Sequence, residues 1–291
     1  GMSFVQRPED VAEGQRLAAG RAAVIAKIEK PAAVAALDGI LAEADGIMVA
    51  RGDLGVEMPI TSVPVIQRRL IATAQQAGKP VIVATQMMES MISAPVPTRA
   101  EVSDVANAIY DGADAVMLSA ESAAGKYPVE TVRTMNAVAE TTESDPHFRV
   151  RMEALRPRAR TRVADAIAAA AREVAETTDV KAICCFTHGG TTALLMARER
   201  PRVPILALTP STRSARRMAL VWGLHCSTTH EVERFKLAVV SAARAAREGG
   251  FASDADRIVV VAGIPFNTSG TTNILRVAPC DERLIYSTDP E

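Results

Sequence analysis

Five times in its first half the chain sets a short apolar run before an amphipathic stretch. The apolar runs at 3–6, 22–27, 46–50, 80–85 and 113–119 read as strands, and the stretches at 8–19, 32–42, 63–77, 102–111 and 128–142 carry helical periodicity. Strict strand–helix alternation leaves few solutions. Parallel strands need crossover connections, and helices that follow each strand must bury their apolar stripes on the sheet. The chemistry-bearing residues fall just after strand ends, as in a (β/α) barrel. A closed barrel takes eight such units over about 250 residues, so five units before residue 155 predict a partial barrel.

A second alternation follows a basic stretch at 144–162, which reads as a solvated helix face and linker. Strands are predicted at 182–186, 205–208, 226–228 and 257–262, with shorter ones at 276–278 and 284–286. Helices are predicted at 163–177, 192–199, 211–220 and 231–249, giving a doubly wound α/β domain. The expected domains are therefore 1–155 and 156–291.

The formal net charge of −1 gives no electrostatic basis for binding nucleic acid or an anionic membrane, and 3% aromatic residues leave little for base stacking. No apolar run approaches the roughly 20 residues of a membrane span, and the first residues lack a signal peptide's pattern. Cys184, Cys185, Cys226 and Cys280 show no CxxC spacing and read as reduced thiols of a cytoplasmic protein. Met87, Met88 and Met91 read as core. The four histidines lie apart in the sequence and receive no role.

The run Val24-Ile25-Ala26-Lys27-Ile28-Glu29-Lys30-Pro31 places a cation and an anion two residues apart on one face of a strand. Opposite charges on a buried strand are expensive unless paired or bound to something. The next strand ends in Ala50-Arg51-Gly52-Asp53-Leu54-Gly55. Two carboxylates beside a lysine suit a hard divalent metal and a phosphorylated substrate. The amides of Gly52 and Asp53 at a helix start suit a substrate carboxylate. Read by itself, Asp53 also fits a turn or helix cap, and Thr85 a helix cap. Thr187-His188-Gly189-Gly190-Thr191-Thr192 follows a strand and opens a helix, a phosphate cradle or a plain turn.

The blocks IAKIEKPAAV, GIMVARGDLGVEMP, GKPVIVATQMMESM, PTRAEVSDVANAIYDGADAVMLSAES and GKYPVETV resemble pyruvate kinase, in order and over nearly the whole chain. The resemblance implies phosphoryl transfer from phosphoenolpyruvate to ADP, giving pyruvate and ATP in glycolysis. It implies Lys27 at the transferring phosphoryl group, Glu29 and Asp53 as ligands of Mg²⁺ or Mn²⁺, Gly52 and Asp53 at the substrate, and Thr85 near the carbon where the enolate is protonated. Gln86 and Glu89 are expected to pack around the site. Where the family reads closer to SGETA, this chain has Ser119-Ala120-Glu121-Ser122-Ala123. The loop Thr187, Gly189, Gly190, Thr191 and Thr192 resembles the family's phosphorylated-sugar effector loop, and Ser269-Gly270-Thr271-Thr272-Asn273 its late turn.

In the family, three earlier barrel strands and a lid supply a phosphate-binding arginine, most K⁺ ligands and much of the nucleotide site. The expected activity of these residues alone is therefore weak or nil. The alternatives are a non-catalytic metabolite-binding or regulatory subunit, or one half of a split enzyme. An open sheet exposes its edges, so a homo-oligomer or a partner chain supplying strands is expected.

Overall fold

The computed structural model describes residues 1–156, 161–266, 268 and 271–287. The chain divides into two compact units, Gly1–Arg156 and Pro157–Glu291. No described helix is long and apolar enough to cross a membrane.

In the first unit β1 (Ile25–Ile28), β2 (Gly46–Ala50), β3 (Val81–Ala84) and β4 (Ala115–Val116) form one parallel sheet in chain order. The register aligns Ile28, Val49, Val83 and Val116 in one row. The first three of these are fully buried. The row Lys27, Met48, Ile82 and Ala115 faces the other way. All but Ile82 are only partly buried. This is the open inner face of a partial (β/α) barrel, with the lysine on it.

Two aspartates fasten the sheet at its N-terminal end. Asp45 accepts the Val24 N–H at 2.8 Å, and Asp114 accepts the Val81 N–H at 3.0 Å. Between these pairs Pro80 has no N–H to give. Its carbonyl accepts from Ile47, and Gly46 lies so close that a Cβ would sit 2.8 Å from the Pro80 oxygen.

The strand expected at 3–6 is reduced to one parallel bridge between Met2 and Ala26. Phe4 takes a left-handed φ of 60° and turns its N–H away from β1. The expected fifth strand pairs only with β3 and keeps two residues. The helix expected at 32–42 is broken into Pro31–Ala35 and Leu37–Glu43. The helix Arg99–Tyr110 starts in a capping box, where Thr98 Oγ1 accepts the Glu101 N–H and Glu101 accepts the Thr98 N–H. In the basic stretch the helix Pro146–Ala154 carries Arg151, paired with Asp111 at 3.1 Å. Arg158 and Arg160 lie outside the described residues. Met87, Met88 and Met91 are fully buried.

The second unit has a five-stranded sheet ordered β7-β6-β5-β8-β9, made of β5 (Ile183–Phe186), β6 (Ile205–Thr209), β7 (Leu224–Thr228), β8 (Arg257–Gly263) and β9 (Thr272–Pro279). Only β9 is antiparallel. The short strand expected at 276–278 is the end of this longer edge strand. The segment 284–286 is helical instead, within Glu282–Ser287. Its Ile285 is fully buried while Leu284 and Tyr286 are half exposed. That pattern fits alternation along a strand equally well, so periodicity alone could not separate the two. Cys184, Cys185 and Cys280 are buried free thiols, and Cys226 is partly buried.

Helix Val163–Thr177 carries Asp165, 4% exposed, which accepts from Arg162 at 2.7 Å and from Arg198 at 2.6 Å. Burial pushes this carboxyl upward, but the two guanidinium groups outweigh it and hold it below the ordinary aspartate range. Removing one partner of a buried pair strands the other charge. Arg198→Met is expected to cost about 3 kcal/mol. This is the low end of that range, because Arg162 remains and the unbonded Nε and Nη1 of Arg198 leave with it. The shift of the urea unfolding midpoint measures it.

Candidate active site at the ends of the first three strands

Glu29 follows β1 directly and is 1% exposed. Its Oε1 accepts the Phe4 N–H at 2.5 Å. Its Oε2 lies 2.8 Å from the Lys27 ammonium, a charge-assisted ion pair at the strand end. The Lys27 Nζ also donates to Ser3 Oγ at 3.0 Å. The sequence expectation that both charges share a face is met. Ser3 was not foreseen, since the bridge that brings it beside Lys27 has no local signal.

Asp53 sits in the first turn of the helix Arg51–Glu57, which begins directly after β2. Its side chain neighbours the Glu29 carboxyl. Two carboxylates this close repel unless a proton or a cation lies between them. Burial raises the Glu29 carboxyl. Lys27, the Phe4 N–H and the Asp53 contact outweigh burial and hold it below the ordinary value. Among the described residues no cluster of three or more His, Cys, Asp or Glu could hold a metal. Mg²⁺ needs only one or two carboxylates when water and substrate fill its other positions. A buried carboxylate with a second carboxylate as its neighbour fits such an ion.

Thr85 and Gln86 follow β3 with φ of 67° and 55°. A β-branched residue in this left-handed region is a genuine outlier, costing of order 1–3 kcal/mol. The Thr85 hydroxyl donates to the Ala84 carbonyl at 2.6 Å and accepts the Gly52 N–H at 2.8 Å. Of the two amides expected to meet a substrate carboxylate, that of Gly52 is thus already engaged. No protein contact requires glycine there, because a Cβ would meet Thr85 at 3.7–3.8 Å, ordinary van der Waals distance.

Sequence reasoning missed Arg51. Its fork donates to the Ala84 carbonyl at 3.2 Å and the Thr85 carbonyl at 2.5 Å, and it pairs with Asp104 at 2.6 Å. Asp104 is 53 residues away, so only the fold brings them together. Glu121, 3% exposed, accepts the Ser119 N–H at 2.6 Å and the Met88 N–H at 3.4 Å. It fastens the loop in which Ala120 and Ser122 stand. Gln86 and Glu89 are exposed, so packing is not their role.

The second candidate loop lies where the chain's strand order reverses, beyond the C-terminal ends of β5 and β8, the usual ligand crevice of such sheets. Thr187 Oγ1 accepts the Gly190 N–H at 2.9 Å. Gly190 has φ 101° and starts the helix Thr191–Arg198. A Cβ there would press on Met218 at 3.2 Å, whereas Gly189 faces open space. Thr192 shares a hydrogen bond with Thr272 at 2.7 Å. The pocket there is lined by this loop with Pro210, His230, Glu231 and Phe266, and no Lys or Arg lines it among the described residues. Thr272 and Asn273 begin β9 rather than a strand–helix turn. Ser269 and Gly270 lie outside the described residues.

Because Glu29 is held below the ordinary glutamate value of 4.5, the stability it contributes is fully present above that pH. It is lost as pH falls through the lowered folded-state value. Glu29→Gln is expected to flatten that part of the acid-unfolding curve, followed by circular dichroism.

Two family descriptions match the chain: "Pyruvate kinase, barrel domain" over residues 1–132 and "Pyruvate kinase, alpha/beta domain" over residues 165–278. A pyruvate kinase of Methylorubrum extorquens is 53% identical over 277 residues, covering 95% of this chain and 58% of its own length. One from Agrobacterium vitis is 51% identical, with 95% and 58% covered. One from Geobacillus stearothermophilus is 45% identical, with 94% and 48% covered. The chain thus spans less than two thirds of the length of these relatives.

Proposed function

The chain belongs to the pyruvate kinase family, and we propose that the ends of β1, β2 and β3 form the phosphoenolpyruvate side of a site that transfers its phosphoryl group to ADP. The observation that carries this reading is the buried Glu29 carboxylate, paired with Lys27 at 2.8 Å, with Asp53 in the first turn of the helix after the neighbouring strand. Glu29 and Asp53 would hold Mg²⁺ or Mn²⁺. The ion, when bound, neutralises charge on the phosphoryl and enolate oxygens. The Lys27 ammonium is a cation, one quarter exposed, on the open inner face, and would stabilise the anion that forms as phosphate leaves. Asp53 and the helix start beside it would orient the substrate carboxylate. Thr85 would serve the proton delivered to the enolate carbon. K⁺ would find only part of its ligands in these residues.

A second reading, a binding or regulatory chain without turnover, draws support from Thr85 and Gly52. Their hydrogen bonds satisfy each other and must open before either meets substrate. The loop Thr187–Thr192 would cradle one phosphate of an effector through hydroxyls and amides. A pocket whose described lining holds no lysine or arginine favours a single phosphate over two.

For these 291 residues on their own, a lactate-dehydrogenase-coupled assay with phosphoenolpyruvate, ADP, Mg²⁺ and K⁺ is expected to give turnover far below the usual kinase range of about 1–100 s⁻¹. Lys27→Met is expected to abolish what remains. Mn²⁺ binding by electron paramagnetic resonance is expected to be weak, strengthened by phosphoenolpyruvate, and lost in Glu29→Gln. Metal binding that survives Glu29→Gln would refute the site.

The exposed Val56, Ile60 and Val65 and the half-open sheet face favour self-association, since apolar burial contributes about 25 cal/mol per Å². Light scattering at micromolar concentration is expected to give a dimer or larger, and a strict monomer would contradict it.

A further inference from the structure

We propose that Arg51 is the positioning residue for Thr85. Held by Asp104, its guanidinium grips the end of β3 in the backbone conformation that turns the Thr85 hydroxyl onto the Gly52 amide. This rests on the reading of Thr85 as a residue that faces substrate.

The pairing of β2 with β3 ends at Ala50 and Ala84. Beyond it the ladder supplies no partner for the next carbonyls. Arg51 does. Its Nε donates to Ala84 O at 3.2 Å and its Nη2 to Thr85 O at 2.5 Å. Its Nη1 meets both oxygens of Asp104, at 2.8 Å and 2.6 Å, and Gln67 Oε1 at 3.4 Å. The side chain is 11% exposed, so these charge-assisted bonds are little weakened by water. A planar fork can hold two successive carbonyls while its far edge is fixed by a carboxylate. A lysine ammonium, a point charge on a flexible stem, cannot reproduce that.

The grip is placed where the backbone resists. Thr85 and Gln86 are consecutive left-handed residues, a conformation that persists only where surroundings over-determine it. The hold is reciprocal. Arg51, from the end of β2, fixes the backbone after β3. Thr85, from the end of β3, fixes the Gly52 amide next to Arg51. Glu29 takes no part in these bonds, whereas Asp53 stands two residues after Arg51 in the same helix, so the device leaves one carboxylate of the site untouched.

The test uses the isotope-labelled full chain with Arg51→Met, Arg51→Lys and Asp104→Asn. Loss of the grip is expected to speed hydrogen–deuterium exchange of the Gly52 amide about tenfold and to change the Thr85 amide–Hα coupling. Exchange of the Phe4 amide, which bonds to Glu29 and shares no partner with Arg51, is expected to stay unchanged. With Mn²⁺ bound, exchange of pyruvate methyl protons with solvent deuterium is expected to slow in the same variants. A merely structural role would speed exchange of the Phe4 amide as well. Arg51→Lys is expected to behave like Arg51→Met, because charge without the fork does not suffice. If Arg51→Met fails to fold, Arg51→Lys decides, and loss of fold in both overturns the proposal. Unchanged Gly52 exchange and Thr85 coupling in a folded Arg51 variant also overturn it. The functional reading fails separately. A Thr85→Val chain that exchanges pyruvate protons as fast as the parent removes Thr85 from the reaction while leaving the amide result intact.

Discussion

A carboxylate shut away from water at the end of β1 governs the first unit. An ionised group in Glu29's position is unfavourable unless its surroundings compensate. They do so from two directions: a lysine two residues earlier on the same strand and a backbone N–H from Phe4. Each partner imposes something on the chain around it. Phe4 must leave the extended conformation to aim its N–H, which is why the first expected strand survives as a single bridge. The Lys30 ammonium then stacks 5.5 Å from the Phe4 ring and pairs with Glu57, tying β1's exit to the helix after β2. The sheet's edge and the site are therefore one problem in charge solvation.

The strand–helix alternation and the shared face of Lys27 and Glu29 were legible because they rest on local periodicity and on charges placed where an apolar strand tolerates them poorly. Asp53 was legible only through its place after the next strand. What stayed hidden depends on distance along the chain. Arg51 reads as one more charge beside a glycine until Asp104 is brought across to it. Ser3 reads as strand until Phe4 turns. The segment at 284–286 has an apolar–polar pattern that helix and strand share, and packing of Ile285 against the second sheet decides for helix. The effector-like loop was visible as a glycine-rich turn. The absence of lysine and arginine from its described lining was not, because the wall residues come from several strand ends.

The two units keep their ionic groups in different states. In the first, Glu29 has one cation, Lys27, at 2.8 Å and a second carboxylate beside it, so negative charge is in excess. In the second, both oxygens of Asp165 are met by arginines, and the leftover capacity lies in the guanidinium of Arg198. Negative charge in excess invites a cation. Donors left over beside a saturated carboxylate serve packing. The same residue types thus suggest a site in one unit and a brace in the other.

The first sheet is fastened at both ends. At the N-terminal edge Asp45 joins β1 to β2, the Lys79 ammonium reaches from before β3 to the Ala44 carbonyl before β2, and Asp114 joins β3 to β4. At the opposite edge the middle seam is cross-linked a second time, by Arg51 and Thr85. A local opening that starts at either edge of that seam therefore meets a side-chain fastening, like cloth stitched from both hems.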